Sequence, residues 1–131
     1  MRGIDTNILI RFLTRDDEKQ AQRAAQIIQE ECTEESPGFL TNIVLVELVW
    51  TLSRIYGYSR PQIVMALQAL LNSRELTFES PDEIRAALEH YEEGQAGFAD
   101  YLLGAVAKAH GCRDTLTFDK KAARLGFFTL A

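Results

Sequence analysis

The chain has 131 residues, of which 47% are apolar and 25% are charged, so we expect one ordered globular domain spanning residues 1–131. Its 19 acidic and 14 basic residues give a net charge of −5, which argues against a protein that simply coats nucleic acid but is compatible with a nucleic-acid enzyme that uses metal ions. No apolar run is long enough to span a membrane, no secretory signal is visible, and Cys32 and Cys112 form neither a disulfide framework nor a zinc motif, so we expect a cytoplasmic protein.

Short apolar strands and helices alternate along the sequence. In chain order we expect a clipped buried strand at Met1–Ile4, helices at Thr6–Thr14 and Asp16–Glu31, a strand at Phe39–Thr41, helices at Ile43–Tyr56 and Ser59–Leu71, a strand at Glu75–Glu79, helices at Ser80–Glu93 and Phe98–His110, a strand at Thr115–Phe118, a helix at Lys120–Leu125 and a strand at Phe127–Leu130. Asn42 is the expected cap of the third helix, and Gly111 is the expected stop after Phe98–His110. This alternation predicts an α/β fold with a mostly parallel sheet, which binds ligands beyond the carboxyl ends of its strands.

Four carboxylates stand in apolar surroundings, unlike most of the acids in the chain. Asp5 follows the first strand, and Asp119 follows the strand that begins at Thr115. Glu47 is the only charged residue of residues 43–50, and Asp100 is the only one of residues 96–107. Neither has Arg or Lys one helical turn away, and a carboxylate in a helix that is apolar nearly all round is costly unless it is paired or coordinated. We therefore expect their partners to come from elsewhere in the fold.

A divalent cation would solve two problems if the four acids converge. Mutual repulsion would otherwise raise their pKa values or force the site apart. Carboxylate oxygens completed by water suit Mg²⁺ or Mn²⁺, and no His or Cys flanks any of the four acids, which disfavours zinc.

Each acid also has an interpretation that is only structural. Asp5 could cap the helix that follows it, and Asp119 could cap the helix at Lys120. Glu47 could form an ion pair in the core with Arg11 or Arg54. The four together are poorly explained by separate structural roles.

Asp100 has small neighbours, and these predict room for a ligand to approach. Gly97, Ala99 and Gly104 lie within four residues of it. Asp114 precedes the strand that Asp119 follows, so we expect it on the opposite rim of the sheet, outside the site.

The ordered set of these motifs resembles the PIN-domain ribonucleases, and in length and spacing it is similar to the VapC-like toxins of toxin–antitoxin pairs. The resemblance covers essentially the whole chain and rests on Ile4-Asp5-Thr6-Asn7, the apolar helix that holds Glu47, Phe98-Ala99-Asp100-Tyr101 and Thr117-Phe118-Asp119. It implies a three-layer α/β/α fold with a short parallel sheet of four or five strands.

The resemblance also implies a function. Asp5, Glu47, Asp100 and Asp119 would form the site for Mg²⁺ or Mn²⁺, with Asp119 either binding the metal or orienting a water, and Thr6, Asn7 and Thr117 would support them through hydrogen bonds. The reaction would be hydrolysis of RNA phosphodiester bonds, in which the metal lowers the pKa of a bound water and polarises the phosphate. The implied partners are a VapB-like antitoxin and a second copy of the chain, the latter because Ile43–Leu52 and Ile63–Leu71 are very apolar.

Several other residues receive weaker predictions. His90 and His110 are expected at the surface, and Trp50 is expected in the core rather than as a platform for a base. Basic residues follow two of the acids and could hold flanking phosphates or simply face solvent; they are Arg11, Arg15, Lys120, Lys121 and Arg124.

Three other classes of protein share some of these features. A phosphate-accepting receiver-like domain has acids at strand ends, but it has an adjacent acid pair after the first strand, where this chain has Asp5 and Thr6. A haloacid-dehalogenase-like phosphatase has a second Asp two residues after the first, where this chain has Asn7. A catalytically silent binding protein of the same fold is the third alternative, and only an assay excludes it.

Overall fold

The computed structural model describes residues 1–131, in which short strands and helices alternate. The elements are β1 (Arg2–Gly3), α1 (Thr6–Thr14), α2 (Glu18–Gln26) with a π-helical continuation (Ile27–Glu31), β2 (Gly38–Leu40), α3 (Asn42–Arg54), α4 (Arg60–Leu71), β3 (Leu76–Phe78), α5 (Pro81–Glu93), α6 (Phe98–Ala109), β4 (Thr115–Thr117), α7 (Lys120–Ala123) and β5 (Phe128–Leu130). The chain divides into two compact units, residues 1–81 and residues 82–131. None of the helices is both long enough and apolar enough to cross a membrane.

The first unit is built on a three-stranded parallel sheet in the order β1-β2-β3. Helix α1 packs against α2 and α3, and α3 packs against α4. The fully buried side chains are aliphatic and come from these helices and from β2; they include Leu9, Leu40, Leu45, Leu48, Leu52, Ile63 and Leu67. Burial of such side chains contributes about 1.5–3 kcal/mol each, so this layer anchors the segments that follow the strands.

The second unit contains the parallel strand pair β4–β5 with α6 and α7. Gly104 of α6 lies directly against Phe127, and a Cβ atom at this position would collide with that ring. Helix α6 ends where predicted, because Gly111 adopts a φ of 92°, a left-handed conformation that favours glycine.

The predicted α/β class and the parallel pairing of all strands are confirmed, with three differences in detail. The five strands form a three-stranded and a two-stranded sheet, where we expected one sheet. Strand β1 is exposed at Arg2 and Gly3, and only Ile4 beyond it is buried, so the expectation of a buried strand is wrong. The cap of α3 is Thr41, whose Oγ1 accepts a hydrogen bond from the Val44 amide, because Asn42 instead bonds to Glu79 and Ser80 after β3.

Candidate active site

Thr6 connects the two candidate acids of the first unit. Asp5 follows β1 and caps α1, with its Oδ1 accepting a hydrogen bond from the Thr6 amide at 2.9 Å. The Thr6 side chain is 7% exposed, and its hydroxyl donates to Oε1 of Glu47 at 3.1 Å. The capping role that we considered for Asp5 is therefore real, and the same buried threonine also orients Glu47 from 41 residues away in the sequence.

Glu47 lies on an exposed face of α3, which contradicts the expectation that this helix is apolar all round and buried. Ile43 is 73% exposed and Trp50 is 58% exposed, and together with Arg54 they form one stripe with Glu47 along the helix. The expectation that Trp50 belongs to the core is wrong. Glu47 therefore needs no buried partner, and the burial cost that we predicted for it from the sequence does not arise.

The ion pairs of the first unit do not include Asp5 or Glu47. Arg11, which we considered as a partner of Glu47, bonds instead to Asp16 at 2.8 Å and to the Tyr56 hydroxyl. Hydrogen bonds from Tyr56 and Thr14 and the charge of Arg11 lower the pKa of Asp16, although its desolvation acts in the opposite direction. This network explains Arg11 without a functional role.

Asp100 and Asp119 form the second pair of acids. Asp100 lies in the first turn of α6 and is partly buried. Burial raises the pKa of Asp100, and the nearby charge of Asp119 raises it further. Two carboxylates of the second unit thus lie close enough to repel each other, as expected where a cation binds between them.

Asp119 combines a structural role with its position in this pair. It follows β4 and caps α7, with Oδ1 accepting a hydrogen bond from the Lys121 amide at 2.8 Å. The Thr117 hydroxyl oxygen accepts a hydrogen bond from the Asp119 amide at 3.0 Å. Thr117 thus supports the Asp119 backbone, and Asp114, at the other end of β4, accepts a hydrogen bond from Thr129.

The small residues near Asp100 serve two different purposes. The Phe127 ring occupies the space beside Gly104, so the room that we predicted there for a ligand is used for packing instead. Open space remains at Gly97, where an added Cβ atom would meet nothing within 4 Å. Space for an approach to Asp100 is therefore open at Gly97, on the side of the α6 N-terminus.

The chemistry of the donors fits a hard divalent cation. Both pairs offer carboxylate oxygens, with a hydroxyl beside each, and the raised pKa of Asp100 marks a charge that a cation would stabilise. Neither unit by itself brings together three or more acidic, histidine or cysteine side chains in the form of a metal site. The convergence of all four acids stays a prediction.

The predicted histidines, Asn7 and the basic residues lie at the surface, in ion pairs or beside a cavity. His90 and His110 are exposed, as predicted. Asn7 is exposed in the first turn of α1. The Arg15 guanidinium pairs with Glu18 at 2.9 Å. Lys121 and Arg124 line a cavity of about 240 Å³ together with Gln95, a residue that sequence reasoning missed because nothing in the sequence marks it.

Two comparisons with known proteins match nearly the whole chain. The sequence model of the PIN domain family matches residues 4–128, which is nearly the whole chain and includes all four acids. The chain is also 29% identical over 130 residues to a VapC ribonuclease of Aquifex aeolicus (strain VF5). That alignment covers 99% of this chain and 96% of the relative.

Proposed function

Because the chain belongs to the PIN-domain family and is VapC-like within it, we propose that it is an endoribonuclease dependent on Mg²⁺ or Mn²⁺. It acts as the toxin of a toxin–antitoxin pair and inhibits translation by hydrolysing phosphodiester bonds of RNA. Residues 1–131 act as one functional domain, which is supported by a family match that runs through both compact units. The place of action is the cytoplasm.

Asp5, Glu47, Asp100 and Asp119 are the proposed metal-binding and catalytic groups. When bound, a divalent ion lowers the pKa of water and polarises a phosphate, which supplies a nucleophile near neutral pH. Thr6 holds Asp5 and Glu47 in place, and Thr117 holds the backbone of Asp119. Asn7 is the remaining supporting residue that the family resemblance implies.

The closeness of Asp100 and Asp119 is the observation that most strongly supports this proposal. The charge of Asp119 raises the pKa of an already desolvated Asp100, so the fold keeps two carboxylates close at a cost in stability. Such an arrangement is typical of functional sites, because a purely structural acid is normally neutralised by a cation or by hydrogen bonds.

The test is cleavage of single-stranded RNA by the purified chain with Mg²⁺, with Mn²⁺ and with EDTA. We expect cleavage with either metal and none with EDTA. Asp100→Asn, purified in the same way as wild type, should abolish cleavage and thereby exclude a contaminating nuclease, whereas Asp114→Asn should retain cleavage. Full activity of Asp100→Asn would refute the catalytic assignment.

The proposed partners are an RNA substrate, a VapB-like antitoxin and a second copy of the chain. The homodimer is supported by apolar side chains that α3, α4 and their connection expose: Ile43, Trp50, Ile55 and Met65 are each more than half exposed. Light scattering should give twice the mass of the chain, and Trp50→Arg together with Met65→Arg should give the mass of one chain. An unchanged mass in that double variant would exclude these residues from the interface.

A further inference from the structure

The cavity between α7 and the segment before α6 has the lining of an anion site. Lys121, Arg124 and Gln95 contribute two cationic groups and one amide, and Ala96 and Leu125 complete the wall. No acidic side chain lines this cavity of about 240 Å³. Its chemistry therefore favours a phosphate over a cation or an apolar ligand.

Lys121 and Arg124, the two basic residues that line the cavity, form no ion pair within residues 82–131. The ion pair within residues 82–131 joins Arg113 and Asp114, and both Lys121 and Arg124 are exposed. The basic residues after Asp5 differ, since Arg11 is bonded to Asp16 and Arg15 to Glu18. Two groups of basic residues follow acids in the sequence, one after Asp5 and one after Asp119. Lys121 and Arg124 of the second group form no ion pair and are therefore available to bind an anion.

The cavity lies beside the acid pair of the same unit. Its wall at Gln95 and Ala96 directly precedes α6, whose first turn holds Asp100. Its wall at Lys121 begins two residues after Asp119, and the Asp119 carboxylate accepts a hydrogen bond from the Lys121 amide. The residues that line the cavity thus lie within a few residues of both acids of the pair, as a contact with a phosphate near that pair requires.

We infer that the cavity lined by Lys121, Arg124 and Gln95 binds a backbone phosphate of the RNA next to the bond that is cut. This inference rests on the proposed function, since it names a contact between the enzyme and its substrate. Arg supplies a planar pair of donors, Lys a point charge and Gln a neutral donor for the phosphate oxygens. The contact is to the backbone, so it contributes affinity and register rather than base preference.

The test measures binding of a fluorescent single-stranded RNA in Mg²⁺ by the Asp100→Asn protein, in which cleavage is stopped. Adding Lys121→Gln and Arg124→Gln should weaken RNA binding by about tenfold or more. The plot of the logarithm of the association constant against the logarithm of the salt concentration should become less steep by about 0.7, for the one phosphate contact that is lost. The matched control adds Lys108→Gln and Arg113→Gln, which remove the same charge from exposed positions outside the cavity. The control should bind RNA nearly as well as its parent, and melting curves should show that both variants are folded.

Three other outcomes contradict the inference, and a fourth separates it from the proposed function. Equal weakening in both variants would mean a general charge effect, and no weakening in the cavity variant would mean that the cavity is not used. An acidic peptide of matched length that binds through these two residues, while RNA does not, would identify a protein-binding site instead. RNA binding that depends on the cavity, in a wild-type chain that does not cleave, would support the inference and refute the proposed function separately.

Discussion

Helices α3 and α6 each carry one carboxylate in an otherwise apolar stretch, but they place it in different environments. Glu47 of α3 is exposed, beside Ile43 and Trp50, and its carboxylate accepts a hydrogen bond from buried Thr6. Asp100 of α6 is partly buried, and burial and the charge of Asp119 raise its pKa. The same sequence pattern thus marks an exposed acid held by a hydrogen bond in one helix and a desolvated, repelled acid in the other.

The strongest prediction separates function from stability at Asp100. Asp100→Asn removes a desolvated charge, so we expect cleavage to fall by more than about 100-fold, beyond the loss typical of residues that only support a metal site. The melting temperature without metal should rise at neutral pH. Cleavage assays and thermal unfolding measure both, and loss of activity accompanied by a lower melting temperature would point to misfolding instead.

At Glu47 we expect the same loss of activity without the gain in stability. Glu47→Gln keeps an oxygen that can accept the Thr6 hydrogen bond, and at this exposed position the free energy of unfolding should change by less than about 0.5 kcal/mol. Cleavage should fall as strongly as in Asp100→Asn. A fully active Glu47→Gln protein would leave Asp5, Asp100 and Asp119 as the essential acids and exclude α3 from the active site.

Thr6 should show a smaller effect, because it positions acids and carries no charge. Thr6→Val keeps the shape of the buried side chain but removes the hydroxyl that donates to Glu47, and we expect a 10- to 100-fold loss of cleavage, about that of other groups that support metal ligands. Thr6→Ser restores the hydroxyl and should recover most of the activity. If Val and Ser variants are equally impaired, packing rather than the hydrogen bond is the role of Thr6.

The pH dependence should report the environment of Asp100. Since the pKa of Asp100 is raised, cleavage should fall as the pH is lowered through that value, before a carboxyl with an ordinary pKa would be protonated. For stability the sign is opposite: the folded state holds this proton more tightly than the unfolded state, so the folded state loses stability as the pH rises through the raised pKa. Asp119→Asn keeps the cap of α7 and removes one cause of the shift, so the pKa of Asp100 in this variant, followed by NMR, should be lower. An unchanged pKa would contradict the repulsion between the two acids.

Much of the fold was readable from the sequence because its local signals are strong. Thr6–Thr14 was predicted to the residue, and α4 begins at the predicted Ser59, which forms a capping box with Gln62, with Pro61 in the first turn. The apolar alternation predicted every strand within one or two residues of its bounds. The cap at Thr41 was missed because Asn42 is drawn away by a tertiary hydrogen bond, which no local pattern reveals.

The sequence singles out the candidate acids but does not reveal their environments. Composition alone suggested that both Glu47 and Asp100 were buried, yet exposure depends on which helix face meets the core, and α3 turns its Glu47 stripe to solvent. The role of Gly104 was misjudged for the same reason, since only the structure shows Phe127 against it. The cavity at Lys121 and Arg124 needed the three-dimensional arrangement, because Gln95 and Ala96 are distant in sequence.

Binding of Mn²⁺, followed by electron paramagnetic resonance, tests most directly whether acids of both compact units serve one metal-dependent reaction. We expect Asp5→Asn and Asp100→Asn each to weaken Mn²⁺ binding by about tenfold or more, and Asp114→Asn to leave it unchanged. Wild-type Mn²⁺ affinity in either Asp5→Asn or Asp100→Asn would contradict a metal site shared by the two units.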